Sequence, residues 1–462
     1  MNTKRKPIRT VLLVLLGVVV PILGVGLFAD SGLPNPLMTL DGNGILSTYN
    51  TSGPIDVTNP FFQNLGTNGR TCNSCHVSSE AWTVSPHGIR ERFEATRGTD
   101  PIFRPVDGAN CPSADVSTMP ARRSAYSLLL KKGLIRISLP VPATADFQIT
   151  EIEDPYHCPQ TTATQPAMYR RPLPATNLPF LTTVMWDGRE SPKGQSLTAD
   201  LTQQAIDATT GHAQGARPSP QQLQQIVAFE TAIFTGQSVD FAAGNLTAKG
   251  ATGGPRNLST QEFYTGINDV LGADPTGAAF NPVAFTTYSK WANLTGPSAM
   301  PARESIARGE ALFNTFPITI TGVSGLNDLP GLSTVNGTCT TCHDTPNVGN
   351  HSVALAINIG VTDYPARGGL DISGLPVYTI TCNSNGATVQ STDPGRALIS
   401  GKCADVGKTK GPILRGLAAR APYFHNGSAA TLSDAVEFYD QRFNLNMTDQ
   451  QKADLVAFLQ TL

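Results

Sequence analysis

Apolar residues recur at helical spacing in only a few stretches of this chain, and each has a recognisable start signal. After Ser219-Pro220, the residues Leu223, Ile226, Val227 and Ile233 fall on one face and predict an amphipathic helix. The segment Ser305–Asn314 reads as a second, capped helix, and Asn59–Leu65 as a shorter turn of the same kind. Thr431 opens a third helix, with Asp434 at the capping-box position and Leu432, Val436 and Tyr439 along the buried stripe. Thr448 opens the last, with Gln451 completing the box and Leu455, Val456 and Leu459 as its stripe. The phrases QQLQQIVAFE and DQQKADLVAFLQ are alike and predict an internal duplication. Between Gly98 and Pro179, and again over Gly322–Asn336 and Gly368–Cys403, periodicity is weak and Pro and Gly are frequent. These stretches read as long irregular insertions.

Composition adds a location. Lys4, Arg5, Lys6 and Arg9 precede an uncharged apolar run from Val11 to Phe28, the pattern of an export segment. Leu27 stands where a cleavage site prefers a small residue, so residues 1–29 are read as an inner-membrane anchor ahead of a removed signal peptide, followed by a linker over 30–53. The rest of the chain is then periplasmic. With 33 Lys and Arg against 35 Asp and Glu, the net charge is −2, which gives nucleic acid no electrostatic footing.

The decisive chemistry lies in two copies of Cys-x-x-Cys-His: Cys72, Cys75 and His76, then Cys339, Cys342 and His343. This is the signature of c-type haem attachment, in which two thiols bond the haem edge and the histidine reaches the iron. No second ligand pair of a zinc site follows either copy. Two covalently bound haem c groups are therefore expected, one in a unit spanning 54–254 and one in a unit spanning 281–462. The fold expected is mainly α, with two cytochrome c-like haem domains carrying long irregular insertions. Cys111, Cys158, Cys382 and Cys403 remain, an even number in an oxidising compartment. Pairing within each unit gives Cys111–Cys158 and Cys382–Cys403, although four cysteines permit three pairings.

The segments RRPLPATNLPFLTTVMWDGRE (Arg170–Glu190) and KGPILRGLAARAPYFHNGSAATLSDAVEFYD (Lys410–Asp440), with both haem pentads in order, resemble the bacterial dihaem cytochrome c peroxidase / MauG superfamily. The resemblance implies that peroxide reacts at the N-terminal haem, that the C-terminal haem transfers electrons, and that Trp186 bridges the two. It implies a sixth ligand to the second haem at Tyr439, fourteen residues after His425, where peroxidases carry methionine and the MauG-like branch carries tyrosine. A phenolate favours ferric or higher iron, whereas a thioether raises the potential. Met447 is the rival ligand. Gln204 takes the place of a distal-pocket glutamine. The family's pocket glutamate falls near Gly211–Gln214, where His212 is the one residue able to move a proton at neutral pH. His87, with His157 and His351 behind it, is the candidate for a distal ligand in a bis-histidine resting state. In that superfamily an asparagine before the WDGR segment helps hold calcium; Arg171 is aligned there, and a guanidinium ligates no cation.

Two functions are set against each other. The first is a dihaem oxidoreductase activating hydrogen peroxide, which either draws electrons from a small cytochrome c or a cupredoxin or, like MauG, oxidises another protein; Tyr439 and the missing pocket carboxylate favour the latter branch. A dioxygen-using relative of the rubber-oxygenase type is compatible with the large insertions. The alternative class is a non-catalytic, membrane-tethered dihaem electron-transfer cytochrome, which needs strong ligands on both faces of both irons.

Overall fold

The computed structural model describes residues 32–462. The segment 1–29 lies outside the described residues. Among them, no helix is long and apolar enough to cross a membrane.

Helices and strands both build the fold. The described residues hold ten α-helices and thirteen strands, more strand than a mainly α expectation allows. The reason is local: most of these strands are only a few residues long, and six of the thirteen lie wholly or mainly in the Gly- and Pro-rich insertions, where a short strand leaves little periodic trace. The stretch 30–53, expected as a linker, instead contributes strands Leu37–Leu40 and Gly44–Asn50. Gly44–Asn50 pairs antiparallel with Ile233–Asp240 in a four-stranded sheet.

The predicted helices form where their caps place them. Helix Pro220–Ala232 starts at Ser219 with a reciprocal capping box to Gln222. It ends one residue before Ile233, which leaves the helical face and opens the next strand, fully buried. Helices Leu432–Phe443 and Asp449–Gln460 start at Thr431 and Thr448 with the expected boxes to Asp434 and Gln451. Helix Pro301–Thr315 begins four residues before Ser305 and crosses Asp449–Gln460 so closely that a side chain at Gly309 would meet the Asp454 carbonyl oxygen at 2.0 Å. Arg308 and Ser305 hold the Asp454 carboxylate at 2.7 and 2.6 Å beside that crossing.

Two aromatic cores sit behind the two pentads. Phe61, Trp82 and Phe229 meet edge-on or tilted with ring centres 5.0 to 5.9 Å apart in the first. Phe285, Phe313 and Phe458 do the same at 5.2 to 5.7 Å in the second. Such pairs add about 0.5–1.5 kcal/mol each beyond simple burial.

The insertions are not loose. Helices Met119–Ala125 and Ser127–Lys132 and the strand pair Ile135–Ser138 and Ala167–Arg170 order the first. Strand Phe147–Glu153 pairs with Val377–Cys382 from the second, so one sheet joins both insertions. Disulfides Cys111–Cys158 and Cys382–Cys403 close them, the pairing expected from the sequence. The bonded cysteines are 47 and 21 residues apart. Loop-closure entropy then predicts that replacing the first pair with alanine destabilises the protein by about 4 kcal/mol and the second by about 3 kcal/mol. Denaturant titration of the two double variants checks the order.

Candidate functional site

The two pentads adopt the same local structure. Cys72–Ser74 and Cys339–Thr341 are single 3₁₀ turns, each opened by a threonine that exchanges hydrogen bonds with the third residue of the turn, Thr71 with Ser74 and Thr338 with Thr341. The histidine N–H then closes on the first cysteine's carbonyl, His76 to Cys72 at 3.0 Å and His343 to Cys339 at 3.2 Å. Six residues later in each copy a backbone carbonyl meets the ring. Trp82 O lies 3.0 Å from His76 Nδ1, and Gly349 O lies 2.6 Å from His343 Nδ1. With Nδ1 donating there, Nε2 keeps its lone pair, the arrangement that orients a metal-binding imidazole. A phenylalanine tilts against each ring, Phe61 at 6.2 Å and Phe313 at 5.8 Å. Burial pushes both imidazoles down to about 4, so each is neutral at physiological pH.

Each pentad lines its own cavity, one around His76 and one around His343. Cys72, Cys75, Cys339 and Cys342 are free thiols facing these cavities, while the other four cysteines are paired. Burial holds the thiols protonated, Cys339 and Cys342 at about 12. Two large, mainly apolar cavities, each with two free thiols and an oriented neutral imidazole, fit a haem c apiece.

Trp186 lines both cavities and is the one aromatic residue they share. Its indole N–H donates to Arg171 O at 2.9 Å, and its own carbonyl accepts from Lys410 N at 2.9 Å. The ring lies 5.9 Å from that of His425. Below it runs a buried chain of charges. Arg170 meets Asp187 at 2.5 Å and Asp393 in two bonds of 2.7 and 2.9 Å, while Arg189 adds to Asp187 and His425 approaches Asp393 at 3.5 Å. Burial lowers the Arg170 affinity for its proton, but the two carboxylates outweigh it, and the guanidinium stays charged.

The shared wall is otherwise cationic. Arg171, Lys410 and Arg420 line both cavities, and none forms an ion pair among the described residues. Arg171 donates to the carbonyls of Lys132, Val84 and Arg420 at 3.0, 2.7 and 3.0 Å. Burial pushes Lys410 down to about 7 and the two arginines to about 10, and the Arg420 charge adds to the lowering of Lys410 and Arg171.

In the first cavity, Gln204 projects from helix Leu197–Asp207, and His212 ends the π-helical turn that continues it. His212 Nδ1 is bonded to the Asp107 carboxylate, and Asp107 also meets Arg70 at 2.5 Å. Burial pushes the Asp107 carboxyl up, but His212 and Arg70 outweigh it and hold the group below its usual range. Its contribution to stability is therefore in place above pH about 4 and is lost on acidification. Sequence reading missed Asp107 because it lies in the first insertion, 105 residues from His212. It also missed Glu230, which lines this cavity from the predicted helix with Oε2 unpartnered; burial pushes it up to about 8. Its place on the apolar stripe of QQLQQIVAFE was the available signal.

The remaining histidines separate by position. His87 is 76% exposed beside Glu91 and lines neither cavity, so it is corrected from a candidate distal ligand to a surface residue. His157 is exposed in a turn, also away from both. His351 lines the second cavity, not the first. Tyr439 and Met447 both line the second cavity. The Tyr439 ring stacks 6.3 Å from Phe443, and burial with the neighbouring Cys342 and Cys339 thiols pushes its hydroxyl above the usual tyrosine range.

No family model matches the chain. Over 143 residues it is 34% identical to cytochrome-c peroxidase IdrP2 of Denitromonas iodatirespirans, covering 28% of this chain and 37% of that protein. It is 35% identical over 99 residues to cytochrome c551 peroxidase of Nitrosomonas europaea, covering 21% and 28%. The chain resembles the dihaem cytochrome c peroxidase / MauG superfamily. The likeness to these curated peroxidases spans between 28% and 37% of their length. A solved MauG-like protein associated with microbial copper homeostasis aligns over 95% of both chains at 16% identity with a TM-score of 0.39, too low to bear on the fold.

The Asp107 triad yields a stability contrast. Asp107→Asn leaves the buried Arg70 uncompensated and is expected to cost about 3 kcal/mol. His212→Gln removes a side chain that is 35% exposed and should cost under about 1 kcal/mol. Chemical denaturation at neutral pH distinguishes the two.

Proposed function

We propose that this chain is an exported dihaem c-type oxidoreductase that reacts with hydrogen peroxide in the first cavity and moves electrons through the second. The observation that carries the reading is Trp186 standing in a wall shared by two cavities, each lined by its own Cys-x-x-Cys-His. Cys72, Cys75 and His76 hold one haem, and Cys339, Cys342 and His343 the other. Arg171, Lys410 and Arg420 offer positive charge to the acidic substituents of both, and Arg171 takes the place of the calcium found in that superfamily. Bound there, the haems supply a redox iron that cleaves peroxide and a second that stores and relays electrons.

The protein's own groups do the rest. His212, with Nδ1 fixed by Asp107, presents Nε2 as the base that takes a proton from the inner peroxide oxygen and returns it to the outer one. Gln204 offers an amide to hold peroxide or the water released. The Trp186 ring replaces empty space between the cavities and shortens the distance an electron crosses. Tyr439 would offer its oxygen to the iron of the second haem, whose charge would favour the phenolate against the effect of burial. A tyrosine in this place favours the branch that oxidises another substrate, such as a protein side chain, over the branch fed by a small cytochrome c or cupredoxin. The acid–base pair in the first cavity speaks against a plain electron carrier, which has no use for a proton shuttle there. The basic flank and apolar run at residues 4–28 direct the chain to the periplasm.

Pyridine haemochrome assay of the purified protein should return two haems per chain, and Cys72→Ser/Cys75→Ser one. Electron paramagnetic resonance of the ferric protein should show a signal that changes with one equivalent of peroxide; two inert low-spin signals would leave only the electron carrier. His212→Gln should slow the peroxide reaction by about 10²-fold or more with haem content unchanged. Tyr439→Phe should alter the low-spin signature. An unaltered spectrum there, with a change in Met447→Leu, would transfer the ligand to Met447.

A further inference from the structure

Asp269, Asp344 and His351 meet beside the second pentad, with His351 also lining the second cavity. Their exposures are 1%, 0% and 6%, and their ligand atoms all lie within 4.8 Å of one another. Each carboxylate is held by one oxygen and leaves the other free. Ala273 N–H donates to Asp269 Oδ2 at 2.8 Å, and Ser352 N–H donates to Asp344 Oδ1 at 2.6 Å. Asp269 Oδ1, Asp344 Oδ2 and His351 Nδ1 are buried and have no hydrogen-bond partner among the described residues. Nδ1 and Asp344 Oδ2 approach to 2.7 Å, but not along a direction that makes a hydrogen bond.

Buried carboxylates are costly unless a positive charge compensates them. An imidazolium could balance one of these two and would leave the other uncompensated. A dication with both carboxylates and a neutral imidazole is electrically balanced. The backbone N–H groups that grip the outer oxygens are the kind of support that orients metal ligands.

We propose that Asp269 Oδ1, Asp344 Oδ2 and His351 Nδ1 bind a divalent first-row transition cation, Zn²⁺ or Mn²⁺. One nitrogen and two carboxylate oxygens suit these ions, whereas Ca²⁺ takes six to eight oxygens. The site has a structural consequence. Asp344 and His351 stand at the two ends of the loop that carries Gly349, whose carbonyl receives His343 Nδ1. An ion joining both ends to Asp269 clamps that loop against the segment between the haem units and fixes the His343 ring.

The test uses the intact holoprotein, with its non-haem metal stripped by a chelator. Elemental analysis after adding Zn²⁺ or Mn²⁺ should find one equivalent per chain beyond haem iron, with a rise in Tm. Asp269→Asn and His351→Gln should each weaken that binding by at least about tenfold while retaining haem and native circular dichroism. The proposal is overturned if neither ion is retained and neither raises Tm, if both variants bind as the parent does, or if Ca²⁺ alone binds and stabilises. None of these readouts uses peroxide reactivity, so they stand or fall independently of the proposed reaction.

Discussion

The arrangement depends on one guanidinium. Arg170 is gripped on one side by Asp187, which follows Trp186, and on the other by Asp393, which faces His425. Close carboxylates offset the cost of burying this cation, and it has two. The pair is drawn from distant parts of the chain, so Arg170 fixes the WDGR segment from the first half to Asp393 of the second, while the neighbouring Arg171 N–H donates to the His425 carbonyl of the APYFHNG segment at 2.7 Å. Trp186 is therefore held in register with both cavities by electrostatics below it and by backbone hydrogen bonds to Arg171 and Lys410 at its edges.

The two cavities are alike in what holds a ring and unlike in what faces it. The matching turns and the carbonyl six residues past each histidine repeat at the same spacing, and a phenylalanine from farther upstream meets each ring. Across from them, one cavity has the bonded His212–Asp107 pair and the Glu230 carboxyl, and the other a phenol and a thioether. A duplicated cradle with divergent opposite faces allows one copy to be reactive and the other to be a relay.

Legibility in the sequence followed the range of the interaction. Ser219, Thr431 and Thr448 announce their helices because capping is settled within four residues. The pentads announce their chemistry for the same reason. Ile233 was misread because the helical phase runs on past Ala232 while the backbone has already turned into a strand; the pull comes from pairing with Asn50, far away in the chain. Asp107, which completes the His212 pair, carries no local mark at all. The strands at 37–50 were hidden in a stretch whose partner lies nearly two hundred residues on. The disulfides were readable because each closes within one insertion, whereas the sheet between the insertions was not.

That sheet has an outcome for how the molecule comes to be made. Phe147–Glu153 supplies its outer strand and Val377–Cys382 its centre, so the outer strand has no ladder partner without the later half. The two halves, each with its own pentad, are thus tied by backbone pairing as well as by chain connectivity, and the strand from the earlier half has its ladder partner only in the complete molecule.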